Sequence, residues 1–320
     1  MPPRRRRIAR LASLPCLALA LMVGSELSAG QGDVTLHVDV KLVNIFVNVT
    51  DDHGALVGDL TRDDFAIAED NRPQQIAVFE RQSELPLNLT LAIDTSASTY
   101  KDRDIEQVAA RRFVHALLRA QDQMSLLEFA TYVTPLAKFT NKTAQIDRGL
   151  DRMRGEGGTA LYDAIYLGSE ELGKQGNEGR KVLVLVSDGG DTASSSSYAQ
   201  ALEQALRNEV MIYSIIDVPI AASAGRDLGG EHALITLAEQ TGGKSFYAEA
   251  GGLDKAFSQV SEDLRTQYLL GYYPHNQEPG RTFHRLSVNI PRASKDAFNI
   301  RYRTGYYADT PIKSPAVSRE

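Results

Sequence analysis

The chain has 320 residues, 42% of them hydrophobic and 24% charged, with a formal net charge of −6. This is the make-up of an ordinary globular protein, long enough for one large domain or two modest ones. No basic stripe offsets the acidic balance, which excludes nucleic acid as the expected partner. The single cysteine, Cys16, lies in the N-terminal apolar stretch, so the rest of the chain has neither disulfides nor thiolate chemistry.

Residues 1–30 have the layout of a secretory signal peptide. Arg4, Arg5, Arg6, Arg7 and Arg10 precede an apolar run from Leu11 to Val23, and the small residues Ser28, Ala29 and Gly30 follow. The run is short of the roughly 20 residues a membrane span requires. The expectation is therefore an exported protein (periplasmic, envelope-associated or secreted) with no span in the mature chain. An uncleaved anchor is the alternative. Leu14 and Pro15 before Cys16 do not fit a lipid-attachment signal.

Residues 31–85 read as a β segment. VTLHVDVKLVNIFVNVTD alternates apolar and polar residues, and DFAIAEDNRPQQIAVFERQ reads as two strands joined at Asp70–Pro73. From 86 to 265 the rhythm changes. Strands are predicted at 89–94, 124–130, 181–187 and 210–216, with weaker ones at 133–139 and 244–250. Helical patterns fall at 103–121, 143–153, 160–174, 196–208, 231–241 and 252–266. Apolar strands alternating with helices predict an α/β domain with a mostly parallel sheet covered on both faces, and 124–130 with 133–139 an antiparallel edge hairpin. Residues 266–308 return to strands in QYLLGYYP, HRLSVNIP and FNIRYRTGYY, and 309–320 form a tail. Both ends being strand-rich, the α/β domain is expected to be inserted in a β-sandwich-like unit formed by the two chain ends.

Three stretches of the central region carry chemistry. LTLAIDTSAST ends a buried strand in Asp94, Ser96 and Ser98; GEGGTALYDAI puts Thr159 after a glycine-rich loop; KVLVLVSDGGD puts Asp188 just past another buried strand. In a doubly wound sheet all three end at the carboxyl edge, where ligands bind. Two carboxylates and three hydroxyls, without His or Cys, suit a hard divalent cation: Mg²⁺, with Mn²⁺ or Ca²⁺ as alternatives. Taken singly, each stretch is also what a helix N-cap or a turn requires. Asp191 is the candidate for an outer-shell role. Asp163 and Glu156 read as solvated loop or helix-start acids, and the six histidines show no ligand spacing.

Together, D-x-S-x-S, G-G-T-x-x-x-D-A and strand–S-D-G resemble the von Willebrand factor type A domain and its metal-ion-dependent adhesion site, over about residues 86–265. The resemblance implies a Rossmann-like three-layer fold and a metal held by Asp94, Ser96, Ser98, Thr159 and Asp188. The flanks, Leu60–Phe79 and Tyr268–Tyr307, are similar to the secreted acidobacterial VWFA-related family. The implied function is metal-dependent protein binding, adhesive or scaffolding, in which the ion accepts an Asp or Glu carboxylate from a partner. A structural envelope protein with a spacer A domain is the alternative, and a metal-assisted hydrolase a weaker one. No G-x-S-x-G elbow, H-E-x-x-H or phosphate-binding loop occurs, so the chain is read as a non-enzyme.

Overall fold

The computed structural model describes residues 42–81, 85–97, 99, 103–176, 179–217, 227–248, 252–274, 283–292 and 297–308. The predicted signal segment, the tail and Ser98 lie outside the described residues. The first strands are β1 (Val43–Asp51), β2 (Ala66–Glu69), β3 (Arg72–Gln74) and β4 (Val78–Arg81). The central part runs β5 (Leu87–Asp94), α1 (Arg103–Leu117), β6 (Gln123–Phe129), β7 (Val133–Thr140), α2 (Thr143–Leu150), α3 (Leu161–Gly173), β8 (Arg180–Ser187), α4 (Tyr198–Arg207), β9 (Val210–Asp217), α5 (Leu228–Thr241), β10 (Ser245–Ala248) and α6 (Leu253–Arg265). The chain then returns to β11 (Tyr268–Tyr272), β12 (Phe283–Asn289), β13 (Phe298–Arg301) and β14 (Gly305–Tyr307).

The central sheet has the order β10-β9-β8-β5-β6-β7. All neighbours are parallel except the edge pair β6–β7, which forms the antiparallel hairpin expected from the sequence. Every residue of β5 and of β8 is buried. That follows from their position in mid-sheet, where both faces need an apolar cover. Leu89, Leu91 and Ile93 pack with α1, α2 and α6 on one face. Ala92, Leu183 and Leu185 pack with α3, α4 and α5 on the other. The fold is thus a three-layer α/β Rossmann-like one.

The chain ends build two further four-stranded sheets, β13-β1-β11-β4 and β14-β12-β2-β3. β1 pairs antiparallel with β11 through Val43↔Tyr272 to Val47↔Tyr268, then with β13 through Asn48↔Arg301 to Asp51↔Phe298. β2 from the N-terminal end pairs with β12 from the C-terminal end. Ile45, Val47, Ile67, Leu270, Tyr272, Leu286 and Val288 form one core between these sheets.

The segment read as two strands is three. β2 and β3 join at Asp70–Asn71, both at positive φ (49° and 64°), the backbone of a two-residue hairpin turn that Asn and Asp tolerate. β4 then crosses to the other sheet beside β11. Pro73 is accommodated because β3 is an edge strand. Helix α5 begins at Leu228, ahead of the expected 231, because the Asp227 side chain accepts the Gly230 N–H and caps it. Gly229 and Gly230, poor helix formers, mask that start in the sequence.

A buried polar network joins the β strands to the central sheet. Gln267 donates to Asn48 Oδ1 (3.1 Å) and to the Tyr213 hydroxyl (3.2 Å). Tyr213 donates to Asp263 Oδ2 (2.7 Å), whose other oxygen accepts Arg301 (2.5 Å). Asn48 Nδ2 donates to the Asp263 carbonyl at 2.8 Å.

Candidate functional site

β5, β6 and β8 end level with one another, since Asp94 is opposite Phe129 and Ile93 opposite Val186. The loops that follow β5 and β8, and the loop between α2 and α3, are stapled together by hydrogen bonds. The Ala97 N–H donates to the Gly157 carbonyl (3.1 Å), joining the first loop to the second. The Thr192 and Ala193 N–H groups donate to the Thr159 carbonyl, and the Thr159 N–H donates to Thr192 Oγ1 (2.9 Å), joining the second loop to the third. Gly155 is required by close approach, because a Cβ there would lie 1.9 Å from Thr95 Oγ1. Gly189 holds φ at +95°, and a Cβ there would lie 2.7 Å from the Gly230–Glu231 backbone.

Asp94 is fully buried. Its Oδ1 accepts the Ser96 N–H (2.9 Å) and its Oδ2 the Ser187 hydroxyl (2.7 Å). Burial pushes its carboxyl up to about 6; hydrogen bonds from Ser96 and Ser187 oppose the shift and the Asp188 charge adds to it. None of these influences is a cation. Ser96 and Thr159 are buried within the same group of loops, and Asp188 is partly exposed with Oδ1 accepting the Gly190 N–H at 3.2 Å. Asp94, Ser96, Thr159 and Asp188 thus sit on three stapled loops at one edge of the sheet. Their donor set, two carboxylates and two hydroxyls, has the chemistry a hard divalent ion needs. Ser98 lies outside the described residues.

Asp191 has a different immediate task. Its Oδ1 accepts the Leu161 N–H (3.0 Å) and the Ser194 hydroxyl (2.5 Å), capping α3. Asp163 accepts the Ser195 and Ser196 N–H groups; despite partial burial, the Ser196 side chain first and then these N–H groups hold its carboxyl below the usual range. Glu156 is exposed. Two participants escaped the sequence reading. Ser187 looked like the last residue of a strand, although it is the Ser of the S-D-G stretch. Asp227 follows no motif, yet a Cβ built on Gly190 would have Asp188 Oδ1 at 3.5 Å and Asp227 Oδ2 at 3.9 Å. The two carboxylates therefore flank the same piece of backbone.

The family model described as the von Willebrand factor type A domain matches residues 89–190, which include the three loops up to Gly190. Inter-alpha-trypsin inhibitor heavy chain H2 of Sus scrofa is 27% identical over 212 residues, 60% of this chain and 22% of that protein. The same protein of Mus musculus is 25% identical over 150 residues, 42% of this chain and 16% of that one. This chain thus aligns with about a fifth of the length of these curated relatives. Among solved structures, BatB from Bacteroides thetaiotaomicron is similar at 17% identity and a TM-score of 0.45, covering 56% of this chain and 98% of that one. The PilB minor pilin from Streptococcus sanguinis is similar at 15% identity and a TM-score of 0.45, covering 57% and 62%. Among the described residues no helix is long and apolar enough to cross a membrane.

Proposed function

We propose that this chain, a von Willebrand factor type A domain protein, is an exported protein-binding module, adhesive or scaffolding. Its domain captures an Asp or Glu carboxylate of a partner protein through a divalent cation. Asp94, Ser96, Thr159 and Asp188 would hold the ion, with Ser98 added on the sequence motif alone. Mg²⁺ is the first choice and Mn²⁺ or Ca²⁺ the substitutes. The observation that carries this reading is the buried Asp94 carboxylate, which accepts the Ser96 N–H and the Ser187 hydroxyl and lies near the Asp188 carboxylate. The ion, when bound, would supply positive charge and an open coordination position. The chain's own contribution is to hold the oxygens on loops tied together by hydrogen bonds. Export rests on the Arg-rich start and short apolar run.

Binding is preferred over catalysis because the sequence carries no G-x-S-x-G elbow, H-E-x-x-H or phosphate-binding loop. The test is titration calorimetry of the full chain with Mg²⁺ and Mn²⁺, followed by binding of peptides that carry a single Asp or Glu. Wild type should take up one ion and bind acidic peptides only in its presence. Asp94→Ala should lose both. Ion uptake without carboxylate binding would leave a structural metal, and no uptake at all would sink the proposal.

A further inference from the structure

We infer that Glu69, Asp70 and His284 form a separate cation site in the sandwich, suited to Zn²⁺ rather than Mg²⁺. One ligand atom from each lies within 4.8 Å of the other two. His284 Nδ1 is 2.8 Å from Asp70 Oδ2 and 3.4 Å from Glu69 Oε1. Glu69 and His284 are only 6% and 7% exposed, whereas Asp70 stands on the exposed β2–β3 turn.

What points beyond an ordinary ion pair is the way each carboxylate is held. Glu69 Oε2 accepts the hydroxyls of Tyr272 (2.5 Å) and Tyr306 (3.2 Å), leaving Oε1 turned to His284. Asp70 Oδ1 accepts the Arg285 N–H (2.9 Å), leaving Oδ2 turned to the same nitrogen. The His284 ring stacks on Tyr306 with centroids 5.3 Å apart, which fixes its plane. One oxygen of each acid is thus anchored by a neighbour and the other converges on the imidazole. This is the arrangement by which outer groups orient metal ligands.

The chemistry of the set names the ion. Two carboxylates and a neutral imidazole balance a divalent charge, and the nitrogen ligand favours Zn²⁺ over Mg²⁺ or Ca²⁺. Ligands about 2.0–2.1 Å from a tetrahedral Zn²⁺ stand roughly 3.3 Å apart. The Nδ1–Oε1 separation already matches this. Asp70, on an exposed turn, would retreat from Nδ1 by about half an ångström on the same geometry, and a water from the solvent would be the fourth ligand.

The test uses the full chain carrying Asp94→Ala, which removes the site at the sheet edge and keeps the two proposals distinguishable. Titration with Zn²⁺ should show one equivalent bound, while Mg²⁺ gives no heat. Co²⁺ in its place should give the visible absorption of a tetrahedral nitrogen–oxygen site. Adding Asp70→Asn, an exposed change that leaves the core alone, should weaken Zn²⁺ at least tenfold. Tyr272→Phe, which frees Glu69, should weaken it about 10–100-fold. His115→Ala, at the exposed His115–Asp147 pair, should change nothing. Absence of Zn²⁺ binding in the Asp94→Ala chain, or binding indifferent to Asp70→Asn, would reduce the cluster to an ion pair and overturn the inference.

Discussion

Asp94 shows how one side chain sets the terms of the site. Its carboxyl, at about 6 when folded, lies above the ordinary value of 3.8 for an aspartate, because burial disfavours the charged form. The folded state therefore holds the proton more tightly than the unfolded chain does. Without a divalent ion, this contribution to stability is complete below about pH 4 and is lost as pH rises through 6. A shift of this size is worth about 3 kcal/mol at most. Melting of the metal-free protein should fall across that window relative to Asp94→Asn, which lacks the titrating group. Parallel melting curves for the two proteins would refute it. A saturating divalent ion should raise stability by mass action and remove the fall, since it favours the ionised form. Thr159→Ala is the complementary case. Its backbone bonds to Thr192 and Ala193 survive, so folding should change by under about 1 kcal/mol. Divalent-ion affinity should drop severalfold, as read by the same calorimetry.

At the scale of elements, the described parts of the loops are tied to one another by hydrogen bonds above buried strands. Gly155→Ala would drive a methyl into Thr95 Oγ1, and into Ala130 Cβ at 3.0 Å. Separating the first two loops in this way should cost about 1–3 kcal/mol, measured by denaturant unfolding. It should weaken metal uptake as well, although Gly155 contributes no ligand. The seam between α6 and the sheet is equally specific. Tyr213 is fully buried and its hydroxyl joins Asp263 to Gln267. Tyr213→Phe leaves both groups short of a partner inside the protein and should cost about 1–3 kcal/mol by the same measurement.

For the molecule as a whole, the N-terminal strands have few partners of their own. β1 lies between β11 and β13, and β2 lies between β12 and β3. A chain ending at residue 265 would leave Ile45, Val47 and Ile67 without the Leu270, Tyr272, Leu286 and Val288 that cover them. Such a chain should melt well below the full-length protein, or aggregate through the bared edges of β1 and β2. A truncated chain as stable as the whole would contradict the shared core.

Some of this was legible in the residues themselves. The short, mainly apolar and β-branched-rich runs at 89–94 and 181–187, bounded by loop residues, read as buried strands. The acids and hydroxyls at and just beyond their ends are then expected at one sheet edge. The period of the strands and the glycine positions are local properties, so the α/β fold and its loops followed from the letters. The turn at Asp70–Asn71 lies within the expected Asp70–Pro73 join, but strand β3 (Arg72–Gln74) was missed because Pro73 suggested a break where an edge strand tolerates it. The helix start at Leu228 was hidden by two glycines, whose cost is met by the Asp227 cap. Ser187 stood in the S-D-G stretch but read as the end of its strand, whereas Asp227 could be placed at the site only by three-dimensional proximity, since no motif marks it. The same holds for Glu69 and His284, separated by more than 200 residues and brought within 3.4 Å when β2 pairs with β12. Pairing between distant strands is decided by which buried faces fit together, and that is a property of the assembled core rather than of any stretch of sequence.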